Sequence, residues 1–212
     1  MAYDLEEQEQ IATLRAFWNQ YGNFILTVVT LVLLAIAGWR GWEWYQTRQS
    51  AEAAAVYERL VTAVDAKDLG KVKETAGTLF TGYGRTAYGQ MAALAAAKAY
   101  ADAGDLKSAK PPLQWAIDNA RDEEFRHVAR VRLAGVLLDE KAYDEGLKLL
   151  SVDPGPRYAA AYADRRGDLL LAQGKRDEAR AAYKQAYEKL DERSPLKRVV
   201  QFKLDALGGA GS

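Results

Sequence analysis

The chain has 212 residues, 49% hydrophobic and 27% charged, with a formal net charge of +0. Such a balance lacks the dense basic stripe that phosphate neutralisation needs, which argues against nucleic acid as a partner. It contains no cysteine, so disulfides, thiolate metal sites, thiol nucleophiles and attachment through a lipidated N-terminal cysteine are all ruled out.

Residues 1–16 form an acidic N-terminal tail with Asp4, Glu6, Glu7 and Glu9. Between Arg15 and Arg40 no charged residue occurs over 24 positions, and the centre reads FILTVVTLVLLAIAGW. As a helix this run spans about 36 Å, against a hydrocarbon core of about 30 Å. Residues 17–45 are therefore expected to be a transmembrane signal-anchor helix. A cleaved secretory signal is the competing reading of Ala35, Ala37 and Gly38. The long acidic tail and an apolar stretch beyond the usual length disfavour it.

Aromatic residues gather at both ends of the run. Trp18 and Tyr21 stand at one edge; Trp39, Trp42, Trp44 and Tyr45 crowd the other, with Arg40 among them. Indole and phenol rings prefer the headgroup layer, and an arginine there can extend its guanidinium outward. These seven residues are the expected membrane interface, with lipid as the partner. Basic residues near the span are Arg15 on one side and Arg40 and Arg48 on the other, which leans weakly toward a cytoplasmic C-terminal region.

Residues 46–207 change character. Apolar residues recur three and four apart, as in MAALAAAKAYADAG and DEARAAYKQAYEKL, and no run alternates as a strand would. Turn segments KDLGKV, GDLKSA, KAYDEG and GKRDEA begin at Lys67, Gly104, Lys141 and Gly174, separated by 37, 37 and 33 residues. A period near 34 is the tetratricopeptide spacing. Five residues after each turn position stand Val72, Ala109, Gly146 and Ala179; four further on stand Ala76, Leu113, Leu150 and Tyr183. Leu79, Ala116 and Ala186 keep the face apolar, whereas Asp153 marks a third repeat that stops short. The first helices supply Leu60, Ala97, Ala134 and Gly167 at the close-packed place.

The expected fold is all-α: an N-terminal single transmembrane helix, then an α-solenoid of about four tetratricopeptide-like hairpins and a C-terminal capping helix. Pro111 and Pro112 fall inside the second helix of the second repeat, so that helix is expected to restart or bend there. Ser194 and Pro195 read as the N-cap and first residue of the capping helix, whose apolar side is Leu196, Val199, Val200 and Leu204. Residues 208–212 read as a flexible tail.

Chemistry is sparse. GYGRTA at Gly82 matches a nucleotide fingerprint only loosely, and no strand precedes it, so it reads as a turn between repeats. His127 is the only histidine and reads as a packing residue; the run Asp122, Glu123, Glu124 suits a helix N-terminus. No catalytic, metal or cofactor site is expected. The first helices instead line a groove suited to peptides or helices, with Met91, Leu94, Lys98, Val131, Leu138, Asp164, Asp168 and Leu171 as candidate contacts.

Together, the acidic tail, FWNQYGNFILTVVTLVLLAIAGWRGWEWYQTRQSAEAAAVYERL, AYGQMAALAAAKAY and DRRGDLLLAQGKRDEARAAY resemble the YfgM-like family, the ancillary subunit of the bacterial SecYEG translocon. The resemblance runs from about residue 5 to 207 and is most specific over Gly38 to Trp42 and the last repeat. It implies a single-pass inner-membrane protein, with the N-terminus cytoplasmic and the C-terminal domain periplasmic. It also implies SecYEG and a PpiD-like periplasmic chaperone as partners, with nascent secretory polypeptides passed between them.

Overall fold

The computed structural model describes residues Tyr3 to Gly208, and among them the regular structure is entirely α-helical. The expected tail at 208–212 lies outside the described residues apart from Gly208. Two compact units are divided between Gln49 and Ser50.

The first helix, α1 (Tyr3–Asp65), is longer than the expected 17–45 span at both ends. Beyond Tyr45, Ala, Glu, Gln, Arg and Leu, all strong helix formers, make up most of residues 46–65, and no glycine or proline intervenes. Gly38 and Gly41 each cost only about 1 kcal/mol in a helix interior. The first stop comes at Lys67. The C-terminal part of α1 thereby serves as the first helix of the first repeat.

The remaining helices pair into hairpins. They are α2 (Leu69–Tyr83), α3 (Ala87–Asp102), α4 (Leu106–Asn119), α5 (Glu123–Asp139), α6 (Tyr143–Leu149), α7 (Gly155–Ala172), α8 (Arg176–Lys189) and α9 (Pro195–Ala206). Four of the hairpin turns are built alike. Lys67, Gly104, Lys141 and Gly174 have φ of 55°, 78°, 62° and 81°, so the left-handed residue falls at each of the four turn positions spaced 37, 37 and 33 apart. The next amide in each turn reaches back five residues, Asp68 to Ala63, Asp105 to Tyr100, Ala142 to Leu137 and Lys175 to Leu170. This is the Schellman arrangement, which satisfies the orphan carbonyls of the helix just ended.

Packing follows the same period. Leu60, Val72, Ala76 and Leu79 share one aliphatic cluster with Ala97, Ala109, Leu113 and Ala116, and each is essentially sealed from solvent. Burying a leucine contributes about 1.5–3 kcal/mol. Equivalent positions in the two helices of each hairpin compensate in volume: Leu60 with Ala76, Ala97 with Leu113, Ala134 with Leu150, and Gly167 with Tyr183, all buried. The last pair is the tightest. A Cβ on Gly167 would stand 2.4 Å from Cε1 of Tyr183.

Pro111 and Pro112 neither restart nor end α4, which runs unbroken from Leu106. Proline removes two helical donors there, but Pro112, Leu113, Ala116 and Ile117 are buried on the same face and hold the helix in place. The third repeat does stop short, since α6 has only 7 residues. GYGRTA forms the turn between α2 and α3, where Thr86 caps α3 by accepting from the Gly89 amide at 3.2 Å. A Cβ on Gly84 would meet Cζ2 of Trp115 at 2.9 Å, so close packing explains that glycine.

The capping helix corrects one expectation. Val200, Leu204 and Leu207 are buried and Leu196 packs beside them, but Val199 is 47% exposed. Each helical residue advances about 100°, so Val199 lies off the i, i+4, i+7 stripe and shares the open side with Phe202.

Candidate functional site

Two surfaces carry the features singled out in the sequence. On the N-terminal unit, α1 contains one segment long and apolar enough to cross a membrane, with a mean hydropathy of 2.0. Trp39, Trp42 and Trp44 are strongly exposed, as are Trp18 and Tyr21. At about 100° per residue, Trp39, Trp42 and Tyr45 fall within one arc of about 120°, and Trp44 stands on the opposite side. Aromatic rings on both sides of the helix suit a surrounding headgroup layer. Tyr45 and Trp42 lie 6.3 Å apart between ring centroids, and the Arg48 guanidinium sits 5.6 Å over the Trp44 ring. Phe17 and Tyr21 make the corresponding pair at the other end, 5.1 Å apart.

On the C-terminal unit the eight groove candidates separate into three groups. Met91, Lys98 and Leu171 are open to solvent, with Lys98 paired to Asp102 on its own helix. Leu94, Val131 and Leu138 are half-buried and pack onto the apolar clusters, so their side chains are engaged within the fold. Asp164 and Asp168 are engaged as well, by the capping helix. Lys203 Nζ lies 2.7 Å from Asp164 Oδ1 and 2.7 Å from Asp168 Oδ1. Tyr183 donates its hydroxyl to the same Asp168 oxygen at 2.8 Å, and Arg165 reaches Asp168 Oδ2 at 3.2 Å.

This cluster is a clasp between α7, α8 and α9. Its two carboxylates and two cations cancel, which is the condition for tolerating charge in a poorly solvated place. Burial pushes the Asp164 carboxyl above its ordinary range, and burial with the nearby Asp168 charge raises the Tyr183 phenol. Tyr183 therefore stays a donor. The clasp escapes sequence reading because Lys203 meets carboxylates 39 and 35 residues earlier in the chain; only the i, i+4 spacing of Asp164 and Asp168 hints that both share a face. Two further residues bridge first helices. Arg132 donates to the Leu94 carbonyl at 3.2 Å, and the Arg165 guanidinium lies against Gly135, where a Cβ would be 3.4 Å from Cζ.

His127 has a packing role. Its Nδ1 is 2.8 Å from the Tyr162 hydroxyl and its ring stacks on Tyr158 at 4.9 Å. Burial, reinforced by Arg130, holds the imidazole below its ordinary value of 6.5. Glu123 and Glu124 occupy the first turn of α5, where the helix dipole favours them.

Comparison with known proteins frames both units. The model of a tetratricopeptide repeat-like domain matches residues 15–209. A protein of Neisseria gonorrhoeae called ancillary SecYEG translocon subunit is 32% identical over 208 residues, covering 98% of this chain and 100% of that protein. The Escherichia coli protein of the same name is 31% identical over 201 residues, covering 95% of this chain and 96% of that protein. The chain belongs to this tetratricopeptide repeat-like family. A Haemophilus influenzae member, again called ancillary SecYEG translocon subunit, is 29% identical over 188 residues, covering 89% of this chain and 92% of that protein. The family match takes in residues 18–45 as well as the repeats, so the apolar segment lies within the matched region.

Proposed function

We propose that this chain is a non-enzymatic, single-pass inner-membrane scaffold that associates with the SecYEG translocon. Its N-terminus is cytoplasmic and its repeats are periplasmic, where they help pass translocated polypeptides to a PpiD-like chaperone. The observation that carries the reading is near full-length similarity to relatives named ancillary SecYEG translocon subunit, in a chain whose long apolar helix is flanked by exposed aromatic side chains. The physical logic is tethering. A surface held beside the exit site has a high effective concentration there, so weak contacts suffice for transfer.

The basic residues Arg40 and Arg48 beyond the span favour a second reading, a cytoplasm-facing scaffold that regulates another membrane complex. A phosphatase or fluorescent reporter fused after Ser212 separates the two. Activity confined to the periplasm is the expected result; cytoplasmic activity supports the second reading and removes the chaperone hand-off.

A further inference from the structure

The short third repeat leaves a gap with chemistry of its own. The second helices α2, α4 and α8 have 15, 14 and 14 residues, whereas α6 has 7, so about two helical turns are missing. The reason is local. Pro154 and Pro156 disfavour helical geometry in the residue before each, and Gly155 adopts φ of 61°. In place of those turns lies an open cavity of about 470 Å³ between the Leu150–Pro156 segment, α7 and α8.

The cavity is lined unevenly. Tyr162 and Ala163, both buried, close the floor, and Val152, 41% exposed, forms an apolar lip with Pro156 and Ala159. Arg166 from α7 and Lys189 from α8 line the walls with Gln185. All three are exposed, and among the described residues none of them has an ion-pair or hydrogen-bond partner through its side chain. The acidic residue in the lining, Asp153, turns Oδ1 onto the Gly155 amide at 2.9 Å. By contrast, Arg165 and Lys203 are committed to the clasp and Lys197 to Glu192.

We propose that this slot docks an acidic amphipathic helix of a partner protein, which supplies the missing turns of α6. Its carboxylates meet Arg166 and Lys189 and its aliphatic side chains cover Val152, Pro156 and Ala159. Charge complementarity selects the occupant: two unpaired cations beside an apolar lip fit Glu or Asp spaced with Leu along one helical face. The volume lies in the range of built binding sites. This inference stands apart from the translocon reading, because it concerns a surface of the purified protein and can fail or succeed without it.

The test uses the full chain in detergent micelles and a fluorescein-labelled peptide of about four helical turns carrying Glu and Leu at four-residue spacing. A second peptide has Gln in place of Glu. Fluorescence anisotropy is expected to show saturable binding of the Glu peptide, with the Gln peptide at least about tenfold weaker. Arg166→Glu with Lys189→Glu should weaken the Glu peptide by at least about tenfold, whereas Lys73→Glu, a charge reversal on exposed α2, should leave it unchanged. The chain has no cysteine, so Val152→Cys carrying a bulky maleimide offers a block that leaves both cations in place, and it too should abolish binding. Equal binding of both peptides overturns the proposal, as does no saturable binding or an equal loss in Lys73→Glu. Phosphatidylglycerol vesicles that displace the peptide through the same two cations would overturn it in favour of a lipid surface.

Discussion

Around Leu60, Leu79 and Leu113 the interior is aliphatic and alanine-lined; at the other end of the repeat unit Tyr183 occupies the position of Leu113 and carries a hydroxyl into an ion cluster. The backbone solution is the same in both places, a hairpin with a left-handed turn residue and one close-packed pair. What differs is how volume and polarity are shared across the pair. Leu113 faces the alanine position at 97, whereas the larger Tyr183 needs the glycine at 167. The terminal hairpin is covered by α9, and there a partly buried charge network joins the cap to the stack.

The largest expected effect comes from breaking that network. Lys203→Met leaves two neighbouring carboxylates without their main counter-ion and should cost about 3–5 kcal/mol in thermal or urea unfolding. Asp164→Asn in the same background should restore part of it. In the apolar end, Leu60→Ala should cost about 2–5 kcal/mol. Because Leu60 and Ala76 reverse the usual order of large and small, adding Ala76→Leu should recover much of that loss, a coupling a double-mutant cycle can measure. Gly167→Ala forces a Cβ into the Tyr183 ring and should cost about 1–3 kcal/mol; Tyr183→Leu should relieve the clash while leaving the clasp short of a hydroxyl.

Smaller effects sharpen the comparison. Lys141→Gly removes a side chain from a left-handed turn residue and should stabilise by about 0.4–1 kcal/mol, in line with its counterparts Gly104 and Gly174. The two ends should also respond oppositely to acid. The Lys71 amide holds the Asp68 carboxyl below 3.8, and the Ser108 hydroxyl and amide do the same for Asp105. Their stabilisation is present above 3.8 and is lost as pH falls through the depressed folded values. Asp164 is raised instead, so the folded state holds its proton more firmly than the unfolded chain does. Relative to Asp164→Asn, the native protein should gain stability as pH falls from neutral toward 3.8; relative to Asp105→Asn it should lose stability below 3.8. Unfolding curves at several pH values check both signs.

Much of this comparison was legible in residue spacing. The turn positions at 67, 104, 141 and 174 are the four left-handed hairpin residues, and the short third repeat announced itself at Asp153. Local rules reach that far because helix stops and small residues act within a few positions. They did not reach the length of α1, where good helix formers carry the helix past the interface without a stop. Nor did they place Val199, since its neighbour Val200 is equally apolar and only docking decides which one faces inward. Groove candidates Asp164 and Asp168 read as surface until Lys203 arrives from a helix that sequence alone does not bring to them.

Association with the translocon is open to in-cell photocrosslinking. A photoreactive residue replacing Trp42 is expected to capture a translocon subunit or a neighbouring membrane helix, and one replacing Lys98 a periplasmic chaperone or a nascent chain. Capture of secretion machinery at neither position, with the protein inserted and folded, would contradict association with the translocon.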